Sequence, residues 1–312
     1  MAPALSDLQP QPAPQTTAVA QTAIGDGLVT EAQAFADELA AWRHDLHQTP
    51  ELGNNLPQTS AYIQARLNEM DIPYAVLVDG SCVVGLIGAG AVAATQGNGT
   101  CTDEQAGTVI MLRGDMDALP VVEESGEPFA SINGCMHACG HDMHATALLG
   151  ASRLLKAREA ELVAANATVK LLFQPGEETF EGARAAIADG LLQNPRPQAA
   201  FAMHVNSQSP LGLVLYGSPA LSGVYGFRIT LQGKGGHGSS PEICIDPITA
   251  GVHVHLALQE LIAREVPAAK EVALTVGKFA GGQAANVIPD TCVLEGTLRG
   301  FDVELMAHLK ER

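Results

Sequence analysis

The feature that most constrains this chain is an alternation of short apolar runs with segments of helical spacing. The apolar runs lie at about residues 74–78, 82–87, 108–112, 169–173 and 199–203. Helical spacing is found at about 142–158 and 182–192. Strands that alternate with helices favour a mostly parallel sheet flanked by helices. The sequence therefore predicts an α/β fold for this part of the chain.

The segments around these runs carry weaker patterns. Helical spacing also covers about 31–48 and 60–70, ahead of the first strand. Residues 1–27 are rich in Pro, Gln, Ala and Thr without periodicity, which predicts a disordered tail. The small, glycine-rich stretch Gly88–Gly107 is interpreted as a long loop between two strands.

That stretch begins with GAGAVA, a formal match to the dinucleotide-binding fingerprint. The fingerprint requires a helix directly after the glycines, and the loop interpretation provides none. A dinucleotide-binding oxidoreductase is therefore a weak alternative that rests on this match alone.

The pattern changes near Ser222, where a second, smaller α+β domain is predicted. Its strands are expected at about 224–231, 271–279 and 291–298, and its helices at about 247–264 and from Asp302 onward. This arrangement lacks a last strand, so the domain is expected to be incomplete at the C-terminus. The predicted domains are thus 28–221 and 222–312.

Charge and cysteine content exclude several classes of protein. The formal net charge of −17 would repel phosphate backbones and anionic lipid, so neither nucleic acid nor a membrane surface is an expected partner. The apolar runs are too short to span a bilayer, and the N-terminus lacks the features of a secretory signal. Six irregularly spaced cysteines do not form a disulfide framework, which favours the cytoplasm.

One segment, GCMHACGHDMH, is unusually dense in metal-binding side chains. Its possible ligands are Cys135, His137, Cys139, His141, Asp142 and His144. Cys139 and His141 flank a glycine in a non-helical stretch, so both could reach one ion. A structural zinc knot, or a few buried histidines, would explain the same residues, and the local spacing does not decide between these possibilities.

More polar residues follow three predicted strands at the point where each strand ends. They are Asp115 and Asp117 after TVIML, Glu177 and Glu178 after VKLLF, and His204 after AAFAM. Because ligands bind outside the carboxyl ends of strands in open α/β sheets, we expect these side chains to meet Cys139 and His141. Crowded carboxylates need a cation to offset their repulsion, which predicts a centre of one or two metal ions. Taken singly, the same residues could be turn formers, a solvated helix start and a core histidine.

Seven ordered sequence blocks then carry a family resemblance. They are RHDLHQTPELG, LRGDMDALP, HACGHDMH, FQPGEE, AMHV, GKGGHGSSP and GGQAANVIPDTCVLEGTLR. Together they resemble the amidohydrolase branch of the aminoacylase/carboxypeptidase metallohydrolase family, which includes hydrolases of hippurate, N-acyl amino acids and auxin conjugates. The similarity runs from about Ala41 to the last residue.

The resemblance implies that 28–221 is the first part of a catalytic domain and that 222–312 is an incomplete lid and dimerisation domain. It also implies roles for individual residues. The metal ligands of the family correspond to Cys139, His141, Glu178 and His204. Glu177 matches the general acid/base, and Asp117 matches the carboxylate that orients the ligands. His237 and Asn286 match lid residues that touch substrate, with His237 reaching the site of the other subunit of a homodimer. The implied cofactor is zinc or manganese, one or two ions per subunit.

The implied function is cleavage of an N-acyl amide bond to an amino acid by water, with a divalent metal and a glutamate base. A metallopeptidase of the same superfamily would share every motif and remains an alternative. The family also supplies one more metal-ligating histidine near its C-terminus, and His308 lies in the wrong motif to replace it. The chain is thus expected to be truncated, to bind metal weakly and to be nearly inactive alone, which leaves a non-catalytic metal-binding module as a further alternative.

Overall fold

A computed structural model describes residues 23–97, 99, 101–215 and 222–312. The chain divides into two compact units, Met1–Ser209 and Pro210–Arg312, called here the first and second units. Most of the predicted tail lies outside the described residues, and residues 23–27 belong to the first helix. The predicted domain boundary at 221 and 222 adjoins residues 216–221, which also lie outside the description.

The first unit is built from a sheet and surrounding helices. Its helices are α1 (Ala23–Gln33), α2 (Ala36–Gln48), α3 (Pro57–Glu69), α4 (Ala89–Gln96), α5 (Asp103–Ala106), α6 (His141–Lys156), α7 (Glu159–Ala164) and α8 (Gly182–Ala188). Its strands are β1 (Tyr74–Leu77), β2 (Cys82–Gly88), β3 (Thr108–Asp115), β4 (Ala167–Gln174) and β5 (Ala199–Ala202).

The sheet has the strand order β1-β2-β4-β3-β5. Strand β3 runs parallel to both β4 and β5, whereas β2 is antiparallel to both β1 and β4. Only β2 therefore opposes the common direction, which confirms the predicted mostly parallel sheet flanked by helices. The register pairs Asp115 with Gln174 and Arg113 with Ala202, so the carboxyl ends of three neighbouring strands lie at one edge.

The core of this unit lies between the sheet and helices α2, α3 and α6. Buried apolar side chains from each layer meet there, among them Trp42, Leu46, Ile63, Leu149 and Phe173. Trp42 and Leu46, which recur at helical spacing in α2, thus face this core, where α2 packs against α6. Since α6 begins at His141, this packing also sets where its first turn lies.

Two local predictions are wrong. The helical pattern over 31–48 is divided between α1 and α2 by a turn at Ala34 and Phe35. The stretch Gly88–Gly107 is not a long loop, because it contains α4 and α5. Helix α4 packs closely on β4, where a Cβ on Gly90 would lie 2.9 Å from the Thr168 side chain. Gly90 therefore serves close packing rather than chain reversal.

A helix therefore does follow the GAGAVA match, and the reason for setting that match aside was wrong. A different feature argues against a dinucleotide site. The fingerprint belongs to a parallel strand–helix–strand unit, whereas β2 is antiparallel to both of its neighbours in the sheet.

The second unit is a small α+β structure, as predicted. Its elements are β6 (Gly223–Gln232), β7 (Gly236–His237), a 3-10 turn (Pro241–Ile243), α9 (Pro247–Glu265), β8 (Val272–Gly281), β9 (Val287–Ile288), β10 (Thr291–Gly300) and α10 (Val303–Glu311). Strands β6, β10 and β8 form an antiparallel sheet in that order, and β7 pairs with β9. Buried Leu298 and Met306 join the sheet to α10. None of the helices in the described ranges has the length and apolar character of a membrane span.

One buried cation helps to hold the first unit together. Lys170 lies in β4 and is only 2% exposed. Its Nζ donates to the carbonyl oxygens of Leu191, Gln193 and Pro195, the latter two at 2.9 and 3.0 Å. Burial lowers the pKa of this amine to about 8. The segment that leads to β5 is thus tied to the middle of the sheet.

We expect Lys170→Met to lower the free energy of unfolding by about 3 kcal/mol, because it removes the donor that three backbone carbonyls share. Urea unfolding followed by circular dichroism measures this change. Lys156→Met is the control, since Lys156 forms a partly exposed ion pair with Glu159 that should contribute no more than about 1 kcal/mol. Equal losses in the two variants would contradict the prediction.

Candidate metal centre

The carboxyl ends of β3, β4 and β5 bring the predicted site residues of the first unit together. Ligand atoms of Cys139, His141 and His204 all lie within 4.8 Å of one another. The same is true of His141, Glu177 and Glu178. The two groups share His141, so five predicted residues form one cluster around this ring.

His141 is the first residue of α6, and its side chain is fully buried. Its Nδ1 donates to the carbonyl oxygen of Asp117 at 2.8 Å, so Nε2 is the free acceptor. That Nε2 lies 3.8 Å from Glu177 Oε2 and 3.9 Å from Glu178 Oε1. It has no hydrogen-bond partner. The Nε2 atom therefore faces the carboxylates of Glu177 and Glu178, and Asp115 Oδ2 also lies 3.6 Å from it.

Gly140 permits the turn that separates Cys139 from this helix. It has a left-handed backbone, with φ of 83°, which favours glycine. A Cβ at this position would lie 2.5 Å from Cγ2 of Val205. Both the backbone conformation and the close approach of Val205 thus call for glycine between Cys139 and His141.

Asp117 organises the turn that carries the two glutamates. Its Oδ1 accepts the backbone N–H of Glu177 at 2.9 Å, and its Oδ2 accepts that of Glu178 at 3.0 Å. The Asp117 side chain is itself buried. Hydrogen bonds to a buried carboxylate are strong, so this residue sets the position of both glutamates.

The same turn has an unusual backbone. Gly176 has φ of 60°, and a Cβ there would lie 2.2 Å from Asn54 Oδ1. Phe180 also has a left-handed backbone, with φ of 61°, although its side chain is 66% exposed. A bulky residue pays about 1–2 kcal/mol for this conformation. Such strain is found preferentially at functional sites.

Cys139 and His204 form the other side of the cluster. The Cys139 Sγ lies 3.4 Å from His204 Nε2. His204 Nδ1 donates to the carbonyl oxygen of Val205 at 2.6 Å, which leaves Nε2 as the acceptor facing the thiol. Two imidazole lone pairs, one thiol and two carboxylates therefore converge.

The electrostatics of this cluster favour a bound cation. Burial, together with the negative charge of Glu178, raises the pKa of the Cys139 thiol to about 12. Burial also raises the pKa of Glu177. His141 Nε2 and Glu178 Oε1 are both buried without a hydrogen-bond partner. A divalent cation fits these residues, because it would satisfy both atoms and favour the thiolate and carboxylate forms.

Asp115 and His144 also lie at this edge of the sheet, as the sequence predicted for Asp115, although the family resemblance assigned neither of them a role. His144 Nδ1 contacts Asp115 Oδ1 at 2.5 Å, and Arg113 forms an ion pair with Asp115 Oδ2 at 2.6 Å. Burial alone would raise the pKa of Asp115, but the His144 hydrogen bond and the Arg113 charge outweigh it and lower the pKa to about 2. Two sequence signals point to this arrangement: Asp115 ends β3, and His144 follows His141 by three residues, which puts both rings on one face of α6.

The remaining predicted residues, His237 and Asn286, lie in the second unit. The structure brings them together, because Gly238 N donates to the Asn286 carbonyl oxygen at 2.8 Å and His237 pairs with Val287. Both side chains are exposed. His237 Nδ1 lies 2.7 Å from Ser239 Oγ. Their contacts with substrate stay predictions.

Known proteins are similar to this chain in sequence. The chain is 39% identical over 280 residues to an IAA-amino acid hydrolase ILR1-like protein of Arabidopsis thaliana, covering 89% of this chain and 59% of the relative. It is 39% identical over 277 residues to an N-acetyl-L-cysteine deacetylase of Bacillus subtilis, covering 88% and 62%. The chain thus spans about three fifths of the length of these relatives.

A solved structure is also similar to this chain in fold and in sequence. It is a dinuclear metal binding peptidase of the M20 family from Bacillus subtilis, which superposes with a TM-score of 0.66 at 33% identity. The match covers 89% of this chain and 68% of that one. The profile of Peptidase family M20/M25/M40 matches residues 111–298, more than half of the chain. This protein therefore belongs to peptidase family M20/M25/M40.

Proposed function

We propose that this protein is a metal-dependent amidohydrolase that cleaves the N-acyl bond of an N-acylated amino acid or a similar conjugate. The observation that carries the proposal is the buried, unpartnered Nε2 of His141, which faces the Glu177 and Glu178 carboxylates beside the Cys139–His204 pair. The cluster thus combines possible ligands for a cation with a second carboxylate, that of Glu177, which lies beside those ligands.

In this proposal, Cys139, His141, Glu178 and His204 hold the cation. A divalent metal supplies Lewis-acid chemistry, since it polarises a carbonyl oxygen and makes water easier to deprotonate. The mixture of sulfur, imidazole and carboxylate ligands suits zinc or manganese better than magnesium. One or two ions per subunit are compatible with the two overlapping residue groups around His141.

Glu177 is the proposed general acid/base. Its raised pKa suits a group that must take up a proton and later release it. It accepts a proton from the attacking water as the new carbon–oxygen bond forms. It then delivers that proton to the amide nitrogen as the carbon–nitrogen bond breaks. Asp117 holds the Glu177 backbone in place for both transfers.

The names of the relatives support the substrate class. One is named for amino acid conjugates and another for an N-acetylated amino acid, which favours a small amine product that carries a carboxylate. We assign His237 and Asn286 to contacts with the substrate on lid closure, with the His237 imidazole a donor to the developing oxyanion. The solved relative named as a peptidase supports the second candidate, hydrolysis of short peptides.

Two further properties belong to the same proposal. Homodimerisation through the second unit is supported by Val252 and Leu256 of α9, whose side chains are 44% and 54% exposed. In such a dimer, His237 of one subunit would serve the site of the other. A cytoplasmic location is supported by the six cysteines, which are all free thiols.

In the full-length gene product, we expect Glu177→Gln to lower turnover of N-acyl amino acids at least 100-fold, because the amide cannot transfer the proton. Affinity for Zn²⁺, measured by calorimetry, should stay within about threefold of the wild type, since the proposed ligands are unchanged. Glu181→Gln is the matched control, because Glu181 is exposed in the same turn and should retain activity. Wild-type turnover in a metal-loaded Glu177→Gln variant would refute the assigned role.

Substrate class is tested with N-acetyl and N-benzoyl amino acids beside dipeptides, each assayed with the metal-loaded full-length gene product. We expect kcat/KM to be at least tenfold higher for the N-acyl amino acids, because a dipeptide places a charged ammonium where an uncharged acyl group should bind. A preference for dipeptides would favour the peptidase alternative. Metal binding without hydrolysis of either class would favour the non-catalytic module.

A further inference from the structure

His204 is the cluster residue that side-chain packing positions least. It follows β5, an edge strand whose four residues are all exposed, and its own side chain is exposed. A ligand on such a segment needs a specific anchor to keep its ring in place, because few apolar contacts restrain it. A hydrogen bond from this segment to the neighbouring helix α6 supplies that anchor.

The anchor is His144, which is buried in the first turn of α6. Its Nε2 accepts the backbone N–H of Val205 at 2.9 Å. The His144 ring also meets the His204 ring edge to face, with centroids 4.6 Å apart. His144 therefore holds both the main chain that follows His204 and the His204 ring itself.

Hydrogen bonding decides the tautomer of the His144 ring. A backbone N–H can only donate, so the Nε2 that accepts it carries no proton. The proton of the neutral ring is then on Nδ1, which donates to Asp115 Oδ1 at 2.5 Å. Asp115 is held in turn by its ion pair with Arg113. A continuous chain of contacts thus runs from the end of β3 to the main chain beside His204.

The same bonds decide between two roles for His144. Asp115, His141 and His144 have ligand atoms close enough to hold an ion of their own. However, one ring nitrogen of His144 is bound to Asp115 and the other to Val205. No lone pair of this ring is left for a metal ion.

We propose that His144 and Asp115 are positioning residues that set the orientation of His204 through the main chain of Val205. This inference rests on the proposed function only in that His204 is taken as a metal ligand. Partners that orient a ligand commonly change metal affinity 10- to 100-fold when they are removed, about what we expect here.

The test is a double-mutant cycle in which Zn²⁺ affinity is measured by calorimetry on the metal-free protein. His144→Leu removes both hydrogen bonds, and it should weaken Zn²⁺ binding by about 10- to 100-fold. In the His204→Ala background the same change should have an effect of less than about twofold, because nothing remains to be positioned. His144→Gln offers one donor and one acceptor and should restore most of the affinity. His44→Leu is the control, since His44 stacks on Phe129 outside the cluster.

A readout that needs no metal accompanies the cycle. The amide proton of Val205 should exchange at least about tenfold faster in metal-free His144→Leu than in the wild type or His144→Gln, because its acceptor is gone. Unchanged exchange at Val205 would overturn the proposal whether or not Zn²⁺ binds.

The other outcomes also separate the hypotheses. An equal loss of Zn²⁺ affinity from His144→Leu in both backgrounds would overturn the proposal and make His144 a ligand or a general stability residue. A loss from His144→Gln as large as that from His144→Leu would overturn it as well. If His204→Ala alone leaves Zn²⁺ affinity unchanged, the proposed ligand set fails instead, and the Val205 exchange rates still decide the role of His144.

Discussion

The site depends on one buried residue, Asp117, which binds two separate segments of the chain. Its two carboxylate oxygens accept the backbone N–H groups of Glu177 and Glu178, and its carbonyl oxygen accepts Nδ1 of His141. These partners come from the turn after β4 and from the start of α6. Asp117 thus ties together two segments that lie 60 and 24 residues away from it in the sequence.

The distribution of charge around His141 divides the acidic residues into two kinds. Asp115 is compensated within the protein, by the guanidinium of Arg113 and the proton of His144. The carboxylates of Glu177 and Glu178 have no basic side chain in contact other than His141 in the described part of the chain. The negative charge that remains is therefore concentrated where the unpartnered Nε2 of His141 points, which is where a cation is favoured.

The errors of prediction have more than one cause. The glycine-rich stretch 88–107 lacks apolar periodicity, so local patterns suggested a loop. Helix α4 forms there because small residues such as Gly90 and Ala91 can approach β4 closely, and α5 because Thr102 and Gln105 cap each other. Conversely, continuous helical spacing over 31–48 did not indicate the turn that separates α1 from α2. Tertiary packing thus overrode the local pattern at α4, whereas α5 depends on a local capping box that apolar spacing does not reveal.

The sequence by itself determined the α/β architecture, the strand ends at which polar residues collect, and the Cys139–His141 pair. These follow from local spacing, because each strand or helix must bury one face and loops must follow its ends. Only the tertiary structure decided which atoms meet: that Asp117 binds a turn 60 residues away, and that His144 contacts Val205 across 61. Such contacts depend on how helices pack on the sheet, and no pattern within a short segment records that packing.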